Sequence, residues 1–345
     1  TIQFNNNTGV KTFNAVSVSG TGSWTSTTIT TAANLIFRNG VSNSGTFSAN
    51  TATFNTTAAS TLGGAAAMSF TGDVTVAAGV TLTNNNSSTV TLASITLTGN
   101  FTQGISTPNP TLSLTAAAPF SGAGTLNANS NPNTVNYSGA GQTIRDVGYN
   151  NLSTSGSGTK AWTLAAIRTV GGNLTVGNGT TLTVGGGFAF TVSGTATIGG
   201  GASGVFNITN GTGLKTFTGL VTVNAGATWN HSTANPATSF GGGITMNGTT
   251  FNNGTGAAAF SATQTLLGSS SMIFGGSVTP AVSTTLTNSN SATVTINNLV
   301  LTGNFTQGLN TPTLTVTNAT PFSGGGVFDA STNTNTVSYT GSNQP

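Results

Sequence analysis

The sequence predicts an all-β parallel solenoid. Three observations predict it: almost no charge, a chain-long rhythm of apolar–polar–apolar triplets, and tandem repetition. Only 3% of the 345 residues are charged, six Lys or Arg against three Asp or Glu, whereas an ordinary soluble domain carries about a quarter. Disordered chains combine high net charge with few apolar residues. Here 35% of residues are hydrophobic, so the missing charge does not signal disorder. Helix surfaces draw on Glu, Lys, Arg, Gln and Ala. Thr, Ser, Asn and Gly stand in their place, and these suit strands and turns.

The triplets supply the elements. Leu174-Thr175-Val176, Leu182-Thr183-Val184, Phe190-Thr191-Val192, Ala196-Thr197-Ile198, Phe206-Asn207-Ile208 and Val221-Thr222-Val223 each have the period of a half-buried strand. Gly, Asn and Ser clusters such as Gly177-Asn178-Gly179 and Gly185-Gly186-Gly187 separate them and permit tight corners. Three short strands per turn give a turn of roughly 20–25 residues and about 14–17 turns in all. Ig-like sandwiches of about 100 residues each would also fit the length. The strands are too short and too evenly spaced for that reading, with no linker or shift in composition.

Repetition sets the organisation. LTGNFTQG occurs at Leu97–Gly104 and again at Leu301–Gly308, an offset of 301 − 97 = 204. The same offset aligns Lys11-Thr12-Phe13 with Lys215-Thr216-Phe217, Met68 and Phe70 with Met272 and Phe274, and Thr81–Asn84 with Thr285–Asn288. Pro119–Gly122 and Pro321–Gly324 are offset by 321 − 119 = 202, which places a two-residue deletion near Pro108–Pro110. The expected organisation is one continuous solenoid over 1–345. Residues 1–204 form a first copy and 205–345 a partial second copy, in which 1–143 correspond to 205–345. A parallel stack explains the composition, because like residues fall into ladders along the axis. Stacked charges repel, whereas stacked Thr, Ser and Asn can hydrogen-bond.

Val135-Asn136-Tyr137-Ser138-Gly139, Gln142-Thr143-Ile144, Tyr149-Asn150-Asn151-Leu152 and Gly172-Asn173-Leu174-Thr175-Val176 carry a family likeness. They resemble the β-strand-repeat modules of very large secreted bacterial surface and adhesin proteins, of the kind found in Bacteroidota. The resemblance runs over most of the chain. It implies a right-handed β-helix, secretion, and a place in adhesion or cell-surface structure. The scarcity of acidic residues departs from calcium-dependent adhesins.

Chemistry is hard to place on this sequence. Glycoside cleavage needs paired carboxylates, and the acids are Asp73, Asp146 and Asp329. Asp73 matches Ser277, and Asp329 matches Asn127, in the other copy. Asp146 beside Arg145 reads as a solvated corner pair. His231, the lone histidine, lies by Trp229 and Asn230 and meets no metal-site spacing. It reads as a surface or corner residue. Lys11 with Phe13, Lys160 with Trp162 and Lys215 with Phe217 share a strand face. Each reads as a lysine lying along an exposed aromatic, with a cation–π or sugar-stacking spot as the functional alternative. Asn100 and Asn304 stand in Asn-x-Thr strings that arise by chance in such a composition. No catalytic, cofactor or metal site is expected, so the chain reads as a non-enzyme.

A net charge of +3 from scattered basic residues does not make the clustered footprint that nucleic acid requires. No apolar stretch is long enough for a spanning helix. The expected role is structural: a stalk or head-to-tail filament segment of a bacterial cell-surface appendage, outside the cell, with more of the same repeat as partner. The alternative is a binding module for surface glycans, ice or ordered water. It would rest on Thr pairs such as Thr81/Thr83, Thr96/Thr98 and Thr181/Thr183, which recur at no fixed sequence spacing.

Overall fold

Side chains on an extended backbone alternate between its two faces. Leu174–Val176, Phe190–Val192, Ala196–Ile198 and Val221–Val223 each bury their first and third residues and leave the central Thr half-exposed. The computed structural model describes residues 1–56, 59–130, 132–201 and 203–342. The last three positions of the second repeat copy lie outside that set. The chain is an all-β parallel β-solenoid of about 15 turns, and the helical element among the described residues is one 3-10 turn at Ala32–Asn34. It divides into two compact units, Thr1–Ser157 and Gly158–Pro345. That division falls elsewhere than the 204/205 boundary between repeat copies.

In the first unit each turn contributes three strands, and each strand pairs with its counterpart one turn on. One column aligns Trp24, Phe47, Met68, Val90, Leu112, Val135 and Leu152. A second aligns Phe13, Phe37, Phe54, Val76 and Leu97. A third aligns Val41, Leu62, Asn84 and Gln103. The step from Val90 to Leu112 is 112 − 90 = 22 residues, within the turn length expected from the triplet spacing. The second unit repeats the plan, with columns through Leu182, Phe206, Trp229 and Phe251, through Val192, Phe217, Phe240 and Phe260, and through Leu174, Ala196, Val221, Ile244 and Leu266.

The ladders fill each interior. Parallel register sets ring upon ring: Trp229 and Phe251 stack at 5.5 Å and 15°, and Phe240 and Phe260 at 5.4 Å and 26°. Stacked aromatic pairs contribute beyond their buried area. Amides form a ladder of their own. Buried Asn84 donates from Nδ2 to Gln103 Oε1 at 3.0 Å, and Asn288 to Gln307 at 2.8 Å. The Asn84 and Asn288 Oδ1 atoms accept the backbone N–H of Asn86 and Asn290. The 204-residue repeat therefore reproduces these two buried hydrogen bonds, and such a network is favourable only when its members are satisfied.

Four strands depart from the expected brevity. Met68–Val76, Thr89–Leu97, Met272–Pro280 and Thr293–Leu301 are nine residues each. Met68–Phe70 pairs with Phe47–Ala49, whereas Val74–Val76 pairs with Ala52–Phe54. One strand thus serves two columns. The register shifts between Phe70 and Asp73, and equivalently between Phe274 and Ser277. A bulge bends a strand without ending it, and glycine sits at both register shifts, Gly72 in the first copy and Gly275-Gly276 in the second. Gly122 and Gly324 sit at φ +80° and +94°, where an added Cβ would lie 2.3 Å from Leu97 O and 2.4 Å from Leu301 O.

Candidate functional site

The three acids stand apart in the sequence, and Asp73 and Asp329 are each tied into their own locality. Asp73 is half-buried at the corner of its long strand, accepting from Ser94 Oγ at 2.8 Å and Thr75 Oγ1 at 3.2 Å. Asp329 accepts from the backbone and hydroxyl of Ser331, bonds that hold its carboxyl below the ordinary range. Asp146 is half-buried beside Arg145, so the expected solvated pair is only partly solvated. No group of three or more His, Cys, Asp or Glu side chains that could hold a metal occurs among the described residues.

His231 is not a surface residue. It is fully buried between Trp229, with ring centroids 4.5 Å apart, and Phe206 at 5.2 Å. Its Nδ1 accepts the backbone N–H of Ile208 at 3.0 Å. Burial pushes its pKa down to about 3, so the ring is neutral at neutral pH. Sequence context misplaced it because an imidazole can take over a backbone acceptor's work where the ladder between Val205–Ile208 and Thr228–Asn230 stops short.

The lysines also differ from expectation. Lys160 and Lys215 are buried, as are Trp162 and Phe217, so neither lysine lies along an exposed aromatic. Lys215 Nζ donates to Phe188 O at 2.7 Å and Thr212 O at 2.8 Å. Half-buried Lys11 donates to Thr8 O at 2.8 Å and Gly9 O at 3.0 Å. Thr8 and Thr212 are repeat equivalents. The lysine in each copy therefore donates to a carbonyl of the preceding corner. Burial lowers the pKa of Lys160 and of Lys215.

Arg145 marks a feature that sequence reading did not find. A hollow of about 310 Å³ is lined by Ala118, Pro119, Phe120, Thr143 and Arg145. The guanidinium lies 5.5 Å from the Phe120 centroid and donates to Gly124 O. Its backbone is pinned from inside: Arg145 N–H donates to Tyr137 Oη at 3.0 Å, and Tyr149 O–H donates to Arg145 O at 2.7 Å. The two buried tyrosyl oxygens are 2.7 Å apart, and burial raises the Tyr137 pKa to about 12. These contacts staple a corner. They engage one guanidinium edge and the ring face that a ligand would use.

Outward hydroxyls form the most extensive arrangement. Thr175, Thr197, Thr222 and Thr245 occupy one column in register, and Thr169, Thr191, Thr216 and Ser239 another. In the first unit Thr89, Thr111 and Thr134 run beside Thr91, Ser113 and Asn136. The sequence spacing concealed this regularity, because turns of unequal length are absorbed in the corners and the strands return to register.

Comparison with family models, curated proteins and solved structures returned no match. No helix among the described residues is long and apolar enough to cross a membrane.

Proposed function

We propose that the protein is a structural element of a bacterial cell surface, a non-enzymatic stalk or filament segment acting outside the cell. One observation carries this reading. The two repeat copies keep one set of interior positions while the chemically versatile exterior positions change. Met68/Met272, Phe70/Phe274, Leu82/Leu286, Asn84/Asn288, Phe101/Phe305 and Gln103/Gln307 keep both identity and burial. Asp73 gives way to Ser277, Ser94 to Asn298 and Asn127 to Asp329. A repeated active site would keep its reacting groups, whereas a length-giving repeat keeps only what lets one turn sit on the next. The family resemblance supplies the expectation of secretion, and near-absent charge suits long ladders of like residues. Its natural partner is more of the same repeat. Negative-stain electron microscopy of native material tests this. Uniform fibres or extended stalks are expected, and globular particles would remove the proposal.

The in-register hydroxyl columns favour a second reading, a binding face for ordered water, ice or surface glycans. Regular alignment is what such a face requires. A thermal-hysteresis assay and a glycan array decide it: no response in either leaves the structural role alone.

A further inference from the structure

The interior of the second unit contains a polar cluster with no counterpart in the equivalent turns of the first. Trp24 stands opposite Phe47, and Trp229 opposite Phe251. Two residues after each tryptophan, Ser26 in the first copy is matched by His231 in the second. Ser26 lies opposite Ala49, and the register that sets Asn230 opposite Asn252 carries His231 to Asn253. The residue facing the repeated lysine changes as well, from Leu35 opposite Lys11 to Thr238 opposite Lys215. Ser, Ala and Leu have thus become His, Asn and Thr, all of them buried.

The replacements leave hydrogen-bonding atoms over. In the first copy Trp24 Nε1–H donates to Ser26 Oγ at 2.9 Å. In the second, Trp229 Nε1, His231 Nε2 and Asn253 Oδ1 are buried without a protein partner. Their polarities are fixed. An indole N–H only donates. His231 Nδ1 accepts from Ile208, so the neutral ring carries its proton on Nε2 and donates there. Asn253 Nδ2 donates to Thr238 Oγ1 at 2.9 Å, and its Oδ1 can only accept. Two donors and one acceptor therefore lie at neighbouring positions of adjacent turns. Buried groups of this kind rarely stay unpaired, and a buried water typically makes about three hydrogen bonds to such groups.

We propose that this cluster is a binding site for one internal water molecule, accepting from Trp229 Nε1–H and His231 Nε2–H and donating to Asn253 Oδ1. A halide would satisfy the two donors but face the Asn253 carbonyl oxygen. Water both accepts twice and donates, and so satisfies all three atoms.

The site can be read in the isotope-labelled full chain by water–indole cross-relaxation. The Trp229 Nε1–H should give a cross-peak to a long-lived water. Trp24, bonded to Ser26, should give none and serves as an internal control. His231→Ser restores the first copy's acceptor and should abolish the Trp229 peak. A wild-type crystal structure gives an independent readout should that variant fail to fold, with density expected about 2.7–3.2 Å from the three atoms. Absence of both peak and density, a direct Trp229–Asn253 hydrogen bond, or an anomalous bromide peak at the cluster after halide exchange would each overturn the proposal.

Discussion

At the scale of single residues, burial decides behaviour that residue type leaves open. His231 illustrates this. Its ordinary pKa of 6.5 falls to about 3 in the folded chain because burial disfavours the charged ring. The unfolded chain therefore takes up a proton first as pH drops. Stability is intact above about pH 6.5 and declines below it by up to roughly 1.4 kcal/mol per pH unit, until the folded ring also titrates near 3. Unfolding free energies from urea titrations between pH 7 and 4.5 should fall by about 2–3 kcal/mol in total, and His231→Phe should flatten the profile. Asp329 titrates below that window, since its folded pKa lies under 3.8. An unchanged wild-type unfolding free energy across the window would refute the buried neutral ring.

Corners and ladders govern the scale of elements. Gly122 and Gly324 hold positive φ with a carbonyl where a Cβ would sit, so Gly122→Ala meets both strain and a clash. A left-handed non-glycine residue alone costs about 1–3 kcal/mol. The expected result is a lower thermal midpoint for either substitution, with Gly325→Ala, which has open space around it, close to neutral. The amide ladder gives a second prediction. Asn84→Ala strands Gln103 Oε1 and the Asn86 N–H, each buried loss being worth about 1–3 kcal/mol. A double-mutant cycle of Asn84 with Gln103 should show coupling, and so should Asn288 with Gln307. Additive effects would argue that the amides act separately.

For the molecule as a whole, stability comes from stacking within a nearly uncharged chain. Each turn meets its neighbours, as in other solenoids, and 3% charged residues leave little for salt to screen. Thermal midpoints in dilute buffer and in 1 M sodium chloride (about a 3 Å screening length) should agree closely. A large shift would place the stabilising term in electrostatics. The same economy of charge leaves the acids scattered over the sequence at Asp73, Asp146 and Asp329, and Asp73 and Asp329 serve as local acceptors.

Much of this architecture was written in the sequence. The triplets Leu174–Val176 and Val221–Val223 are strands because period-two alternation has one low-energy outcome when one face must be buried. LTGNFTQG at offset 204 returns as two copies of the same buried Asn–Gln ladder, since identical local sequence meets identical neighbours. The deletion near Pro108–Pro110 falls where Gln103 leads to Thr111 but Gln307 leads to Thr313. What tertiary structure decided is what lies beside what. Met68–Val76 turns a corner at Gly72 while its pairing continues on both sides, which the local pattern does not reveal. Lys160, Lys215 and His231 are interior, because carbonyls and N–H groups that satisfy polar atoms come from other segments or other turns, more than 20 residues away for Phe188 and Ile208. The Thr columns align only once unequal corners have been absorbed. Alternation along one strand is a local property carried by the chain itself, whereas register between turns exists only after folding has brought them together.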